Sequence, residues 1–291
     1  MPELPEVETI RRDLASTLVG KKIADVTVRK DKMVRGPTRR LKKSMIGQRV
    51  AGVERRAKLL MIRLTPSNHY LLLHLKMTGQ LIYHDKGALI AGGHPWPPLM
   101  EGTADQALPN KYTHVIFSFT GGAKLYFNDL RQFGYVQVVS AEEAALVTAT
   151  YGIEPLTPDF TLEAFRAALK QRAAPLKAVL LNQAVIAGLG NIYVDEVCFA
   201  AGVRPTRRAN QVTQAEAARL YRACNRIIKQ AIKHRGTTFQ SYRDSQGRRG
   251  NYVRFLQVYG RSGEPCLGCG TAIVRVKTAG RGTHLCRKCQ R

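Results

Sequence analysis

Two C-x2-C pairs, Cys266/Cys269 and Cys286/Cys289, stand sixteen residues apart in the C-terminal part of a 291-residue chain. Four thiolates at that spacing make the donor set of a closed tetrahedral zinc site and dictate a small hairpin module rather than a disulfide framework. IVRV and THLC read as two strands around TAGRG, with Arg281 near the tip. A metal with four sulfur ligands has no open position, so the single zinc expected here is structural and the chemistry lies elsewhere. An exposed arginine on a stapled hairpin suits a nucleic-acid groove or a phosphate. The other two cysteines, Cys198 and Cys224, sit alone in helical patterns and read as buried, inert thiols.

The charge balance narrows the partner. Against 21 Asp+Glu the chain carries 46 Lys+Arg, a net charge of +25, which points to a polyanion, nucleic acid first and an anionic membrane surface second. Residues 204–291 alone hold 20 Lys/Arg and 3 acids (Glu216, Asp244, Glu264), so the basic surface is expected to be largely C-terminal. No apolar run is long enough to span a bilayer, and the start lacks the basic-then-apolar order of a signal peptide. A reducing, cytoplasmic setting is the expectation.

The hydrophobic pattern changes along the chain. Val7, Ile10, Leu14 and Leu18 make one amphipathic helix, with Pro5 in the first turn, Gly20 as the stop and residues 1–4 as an extended lead-in. From there to about residue 139, seven or eight short apolar runs (23–28, 59–64, 70–75, 80–83, 114–119, 124–127, 135–139) broken by turn residues predict an antiparallel sandwich or barrel. Residues 86–110, rich in Gly and Pro and holding the only Trp, read as a long surface loop. After residue 140 the pattern turns helical: SAEEAALVTAT, TLEAFRAALKQR, PLKAVLLNQ, NIYVDEVCFAAG and a long stretch from Thr213 to His234. The expected division is a β-sandwich domain over 1–140, a linker region over 141–160, a helical domain over 161–255 and the cysteine module over 256–291.

Three further stretches carry chemistry. The opening MPELPEVET puts a proline at position 2; removal of Met1 would free a secondary amine, a nucleophile whose iminium with an aldehyde-level carbon has no N–H proton to lose. An α-amino group near pKa ~8, against ~10.4 for lysine, is partly neutral at physiological pH, and Glu3 and Glu6 stand close enough in sequence to move protons around it. In NDLRQFG, Arg131 and Phe133 follow a strand two residues apart; an arginine can contact bases or phosphates and a phenylalanine can wedge between bases, although a satisfied Arg and a core Phe fit the same pattern. AGLGN, between two helical segments, reads either as a phosphate cradle or as a tight helix–helix turn.

Taken in order, PELPEVET, RRAK, HLKMTG, DLRQFG, GLGNIY, QVYGRSGEPC and the four-cysteine module closely resemble the formamidopyrimidine-DNA glycosylase family over essentially the whole chain. The resemblance implies an α+β multidomain protein: an N-terminal antiparallel β-sandwich flanked by helices, then a helical domain with a helix-two-turns-helix and a β-hairpin zinc finger. It implies a bifunctional DNA glycosylase/AP lyase of bacterial base-excision repair, a monomer acting on damaged double-stranded DNA, that excises 8-oxoguanine and formamidopyrimidines. Pro2 would attack C1′, Glu3 would transfer protons at the opening sugar, Lys58 would act near the lesion phosphates as proton donor or charge stabiliser, and Glu6 would organise the pocket. Arg281 completes the implied catalytic set by holding the backbone at the lesion, together with Lys177 and Asn191. Met77, Arg131 and Phe133 would fill the space left by the extruded nucleotide, with Arg131 facing the orphaned cytosine, while residues 236–251 would close over the flipped base.

The sequence departs from the family pattern at Gln132, at Tyr112 in place of a common DNA-contacting histidine, and at Ala173 where a basic contact often precedes Lys177. These departures put individual phosphate contacts in doubt. Two other readings compete. An endonuclease VIII type, preferring oxidised pyrimidines, shares the proline and the architecture; PELPEVET and the full Met77/Arg131/Phe133 set favour the purine branch. A non-catalytic zinc-containing nucleic-acid-binding protein would explain the charge and the cysteines but not the opening.

Overall fold

The apolar stripe at Val7, Ile10, Leu14 and Leu18 folds as helix α1 (Leu4–Leu18), each of the four at most 3 % exposed and part of one core cluster. Burying side chains of this size stabilises the fold by roughly 1.5–3 kcal/mol each. The helix begins at Leu4, earlier than the expected lead-in allows, because Leu4 is itself fully buried and Pro5 suits the first turn. The computed structural model describes residues 2–86, 88–93, 108–237 and 251–291. They divide into two units: Met1–Ala149 with His234–Val253, and Thr150–Lys233 with Arg254–Arg291.

The first unit is a β-sandwich. One sheet runs β2 (Arg49–Arg56), β3 (Leu59–Thr65), β4 (Tyr70–His74), β9 (Tyr135–Val139); the other runs β1 (Ile23–Val28), β7 (Thr113–Phe119), β8 (Lys124–Asp129), β5 (Gly79–Asp85), β6 (Ala88–Gly93). All neighbours are antiparallel. Alternation aims Leu60, Ile62 and Leu64, Leu71 and Leu73, and Val136 and Val138 into the same core as Val26, Leu81, Val115, Phe117, Leu125 and Phe127. Helices α2 (Thr38–Met45) and α3 (Ala141–Ala149) complete the unit.

Two strands lie outside the runs read from sequence. In β2 a register shift between Val50 and Gly52 sets the buried Val50 and Val53 three residues apart, which breaks the period-two signal. Strand β6 occupies part of the region expected to be a surface loop, pairing with β5 from Gln80↔Gly93 to Asp85↔Ala88; six residues that pair with a core strand were hidden by the Gly/Pro-rich text after them. Residues 94–107 of that expected loop lie outside the described residues.

The second unit holds the remaining expected helices, α4 (Leu162–Lys170), α5 (Leu176–Leu181), α6 (Asn191–Ala201) and α7 (Gln214–Lys233), followed by the hairpin β10 (Val274–Thr278) and β11 (Arg281–Leu285). Cys198 and Cys224 are fully buried, and burial raises both thiols, Cys224 to about 12; they are inert, as their isolation in sequence implies. The hairpin turns on Ala279-Gly280, both at positive φ as a two-residue β-turn requires, and Thr278 pairs with Arg281 at its tip.

A partly buried charge network ties α1 to the β2–β3 hairpin. Glu8 accepts from Arg11 at 3.0 and 2.9 Å, from Arg12 at 2.8 Å and from Arg55 at 3.1 Å, and Arg55 donates onward to the Ala57 carbonyl at 2.8 Å. Burial opposes the Glu8 charge, but the hydrogen bonds from Arg11 and Arg12 and the charge of Arg55 overcome it and hold the carboxyl at about 2, against 4.5 unperturbed. A depressed folded pKa stabilises above the unfolded value and stops doing so as pH falls through the folded one. Glu8→Gln should therefore lower stability at neutral pH by about 2 kcal/mol, and the gap in melting temperature between wild type and variant should close between pH 4.5 and about 2. A gap that stays constant with pH would mean that the Glu8 charge is not what holds the helix.

Candidate functional site

In the first unit, helix α1 begins in a reciprocal capping box. The Glu3 amide donates to Glu6 Oε2 at 2.9 Å, and the Glu3 side chain returns to the Glu6 backbone N–H. Both glutamates are buried, at 2 % and 6 % exposure, and Pro2 is buried beside them. The second oxygen of Glu6 accepts from the Thr237 amide at 2.7 Å and from its hydroxyl at 3.0 Å. Two residues earlier, Arg235 grips both oxygens of Asp13 at 2.7 and 2.5 Å. Residues 238–250, most of the expected closing segment, lie outside the described residues.

Lys58 closes the β2–β3 hairpin after Ala57, which takes a left-handed φ of 54°. Its side chain is 5 % exposed, and its charge is felt at His74, opposite Leu59 on β4. Burial foremost, then the charges of Lys76, Lys58 and Arg35, hold the His74 imidazole down at about 3. The ring is therefore neutral, and its Nδ1 accepts the Lys76 backbone N–H at 3.0 Å. Arg35 lies 3.3 Å from the centroid of the Tyr135 ring, which in turn packs against His74. Lys76 itself is lowered by burial and by Arg35, so three cations crowd a neutral imidazole, an arrangement that favours an anion.

Met77, Arg131 and Phe133 come together. Arg131 Nη1 lies 3.2 Å from Met77 Sδ, and its guanidinium stands 4.8 Å over the Phe133 ring. Phe133 is 54 % exposed, so the bland reading of a core phenylalanine does not hold. Tyr112 is half-buried: its backbone N–H donates to Asn110 Oδ1, its carbonyl accepts from the Asp129 amide, and the Lys111 ammonium stands 5.2 Å from its ring centroid.

The second unit carries Lys177, Asn191 and Arg281. Lys177, expected to hold the DNA backbone directly, has no exposed surface: its ammonium pairs with Asp195 at 2.6 Å and donates to the Gly282 carbonyl at 3.0 Å. Asn191 Nδ2 donates to the same carbonyl at 3.1 Å. A buried ammonium needs a paired carboxylate, and Asp195 supplies it while also accepting the His284 amide at 2.8 Å. Both residues thus pin the strand immediately after the exposed Arg281. In AGLGN, the Gly188 amide donates to Gln183 Oε1, and Gln183 Nε2 donates to the Leu181 and Leu189 carbonyls. These bonds are those of a tight turn closed on itself. Glu196, buried on α6, accepts the amides of Gln257, Val258 and Tyr259 at 2.8–2.9 Å and so anchors the QVYGR segment; burial raises its carboxyl despite these bonds.

The cysteine sulfurs fit zinc. All four Sγ atoms lie within 4.8 Å of one another, with 3.8 Å between Cys266 and Cys289 and 3.5 Å between Cys269 and Cys286. Ligands ~2.3 Å from a tetrahedral zinc stand about 3.8 Å apart. Cys266 and Cys286 pack with Val258, Ile273 and Phe199 of α6, so the metal knots the hairpin to the helical core.

Comparison with known families divides the chain as its chemistry does. The formamidopyrimidine-DNA glycosylase N-terminal domain matches residues 1–136, its H2TH domain residues 151–243, and the zinc finger found in FPG and IleRS residues 263–291. The chain belongs to the formamidopyrimidine-DNA glycosylase family. A formamidopyrimidine-DNA glycosylase of Pelotomaculum thermopropionicum is 40 % identical over 100 % of this chain and 99 % of its own length, and one of Listeria monocytogenes is 39 % identical over the full length of both. Among solved structures, wild-type Lactococcus lactis Fpg with an N7-benzyl-Fapy-dG DNA superposes with a TM-score of 0.86 at 34 % identity, covering 99 % of each chain. MutM with a carbocyclic 8-oxo-G DNA gives 0.85 at 33 % over 100 % of both.

Sequence reasoning missed the residues that hold this family's motif residues in place. His74 and Lys76 stand inside HLKMTG, and Asp129 inside DLRQFG, so the motifs contained the signal without its geometry. Arg35 and Asp195 carried no local signal, since each acts through a partner distant in sequence, and Glu8 showed only its spacing to Arg11 and Arg12, not its reach to Arg55. One zinc per chain should be found by elemental analysis. Cys286→Ser should lose it and weaken DNA binding, because the Arg281 hairpin then loses its staple; full zinc content and affinity in that variant would exclude the four-cysteine site.

Proposed function

We propose that this chain is a bifunctional DNA glycosylase and AP lyase that excises oxidised purines, 8-oxoguanine and formamidopyrimidines, from double-stranded DNA, acting as a monomer at the bacterial nucleoid. The observation that carries the purine reading is the Met77–Arg131–Phe133 cluster, with Arg131 and Phe133 exposed and Met77 half-buried, assembled in the free protein next to a neutral His74 ringed by cations. Three contiguous side chains of this kind suit the hole left by an extruded nucleotide: the guanidinium can face the orphaned base, and the phenyl ring can wedge at the kink.

In this reading Pro2, freed by removal of Met1, is the nucleophile. Its nitrogen forms a bond to C1′ as the glycosidic bond breaks, and the base leaves with a proton. Glu3, held at the positive end of α1, returns a proton to the ring oxygen as the sugar opens to the iminium. The iminium withdraws electrons, the sugar loses a carbon-bound proton, and the 3′ phosphate leaves, followed by the 5′ phosphate; water releases the remaining fragment. Lys58 stabilises the departing phosphates. Glu6 keeps Glu3 and Thr237 in register. Lys177 and Asn191 serve DNA indirectly, by fixing the Gly282 carbonyl and so the strand that presents Arg281 to phosphate. Zinc supplies structure and no chemistry.

Borohydride should trap a covalent complex with duplex DNA containing 8-oxoguanine opposite cytosine, and Pro2→Gly should abolish trapping by at least about a hundredfold. Running an oxidised pyrimidine in parallel should give slower trapping; a faster rate there would move the chain to the endonuclease VIII type. Affinity should fall with salt by a log–log slope of about 0.9 per neutralised phosphate. No adduct from a preparation shown by mass spectrometry to begin at Pro2 would remove the enzyme reading altogether.

A further inference from the structure

The three side chains of the wedge, half-buried Met77 and exposed Arg131 and Phe133, sit on two different turns. Met77 lies in the turn between β4 and β5, where Lys76 takes a φ of 49° and the Gly79 amide donates to the Leu75 carbonyl. Arg131 and Phe133 flank Gln132, at φ 56°, in the turn between β8 and β9. Nothing in their own contacts would keep two such turns in register, since an Arg–Met contact and an exposed cation–π contact are weak. Beneath them runs a buried polar bolt. The Thr78 hydroxyl, on a residue 6 % exposed, donates to Asp129 Oδ1 and accepts the Arg131 amide at 2.9 Å. Asp129, with no exposed surface, accepts the Arg131 amide on the same oxygen at 3.1 Å and the Gly134 amide on the other at 2.7 Å.

The aspartate is held in turn. Its amide donates to the Tyr112 carbonyl at 3.0 Å, and its carbonyl lies 2.7 Å from Nε2 of the buried His114. A side chain at Gly134 would bring its Cβ within 3.0 Å of Asp129 Oδ2 and within 2.9 Å of the His74 carbonyl, which is why the turn must end in glycine. Both oxygens of one carboxylate therefore span the whole turn from Arg131 to Gly134, and one hydroxyl links that turn to the residue after Met77.

We propose that Asp129 and Thr78 are positioning residues that preset Met77, Arg131 and Phe133 as a single wedge and thereby determine how the enzyme reads the base opposite the lesion. The proposal rests on the glycosylase reading above. An aspartate can accept on both sides of the turn; an asparagine can accept on one only and turns an N–H donor toward the other. Chemistry at C1′ uses none of these groups, so an abasic site in single-stranded DNA, with no opposite base to read and no helix to wedge, is a substrate that does not need the wedge.

The test compares wild type with Thr78→Val, Thr78→Ser and Asp129→Asn, each shown by its melting curve to be folded. Two rates are measured: excision of 8-oxoguanine opposite cytosine and opposite adenine in duplex DNA, and borohydride trapping at an abasic site in a single strand. Thr78→Val and Asp129→Asn should lose about tenfold in selection between the opposite bases, the effect of one charge-assisted hydrogen bond, with single-strand trapping unchanged. Thr78→Ser, which keeps the hydroxyl, should restore selection. An equal fall on both substrates, or full selection in Thr78→Val, would overturn the proposal and leave the bolt a general fold element; if Asp129→Asn does not fold, the Thr78 pair decides. Absence of both duplex excision and single-strand trapping by wild type would instead sink the glycosylase reading on which the proposal stands.

Discussion

Glu6 divides one carboxylate between two backbone segments far apart in sequence. One oxygen holds the Glu3 amide, and the other holds Thr237 through both its amide and its hydroxyl. The N-terminal residues would otherwise fray, because the first amides of a helix have no partner within it. Pinning Glu3 in a capping box converts the least ordered part of a chain into a buried, oriented one. The geometry of the proposed nucleophile and its proton carrier follows from this single shared side chain, and so does the placement of residue 237 over the start of α1.

The same device recurs. In a protein with 46 basic and 21 acidic residues, several buried carboxylates are used as internal fasteners for backbone: Asp129 for its turn, Glu196 for residues 257–259, Asp195 for the His284 amide and the Lys177 ammonium. Glu8 fastens by way of arginines, reaching the Ala57 carbonyl through Arg55. Carboxylates suit this work because two oxygens with several lone pairs can collect amides from one turn. These buried acids order loops from within and take no part in the surface that would meet a polyanion.

How much of this was legible depended on range. Helix α1, the helices of the second unit and the zinc hairpin follow from local periodicity and spacing, and each is found within two residues of its expected limits, the hairpin strands running two residues further toward the turn than IVRV and THLC. Strand β2 was invisible because its bulge replaces period two with a spacing of three, and helix α2 because only Leu41 and Met45 of TRRLKKSM are buried. Among site residues, the identities of Met77, Arg131 and Phe133 could be read, but not the contact between turns 54 residues apart. Lys177 shows the opposite limit: the family resemblance implies that it holds the DNA backbone, and only tertiary structure reveals a carboxylate waiting for it in the interior.

That burial changes the meaning of a positive charge. A lysine on the surface meets phosphate as a mobile point charge and loses rotamer freedom when it does. Lys177 meets a carbonyl instead, and shares it with Asn191, so Gly282 is fixed from two sides before any ligand arrives. Arg281 then stands at the end of a strand stapled by cysteines on one side, with the Gly282 carbonyl held by Lys177 and Asn191 on the other. An arginine presented in this way gives up only its own side-chain freedom on reaching a phosphate. Where this chain lacks a basic contact common in the family, as at Ala173, a rigid mount for the remaining arginine is a physical route to the same grip on DNA.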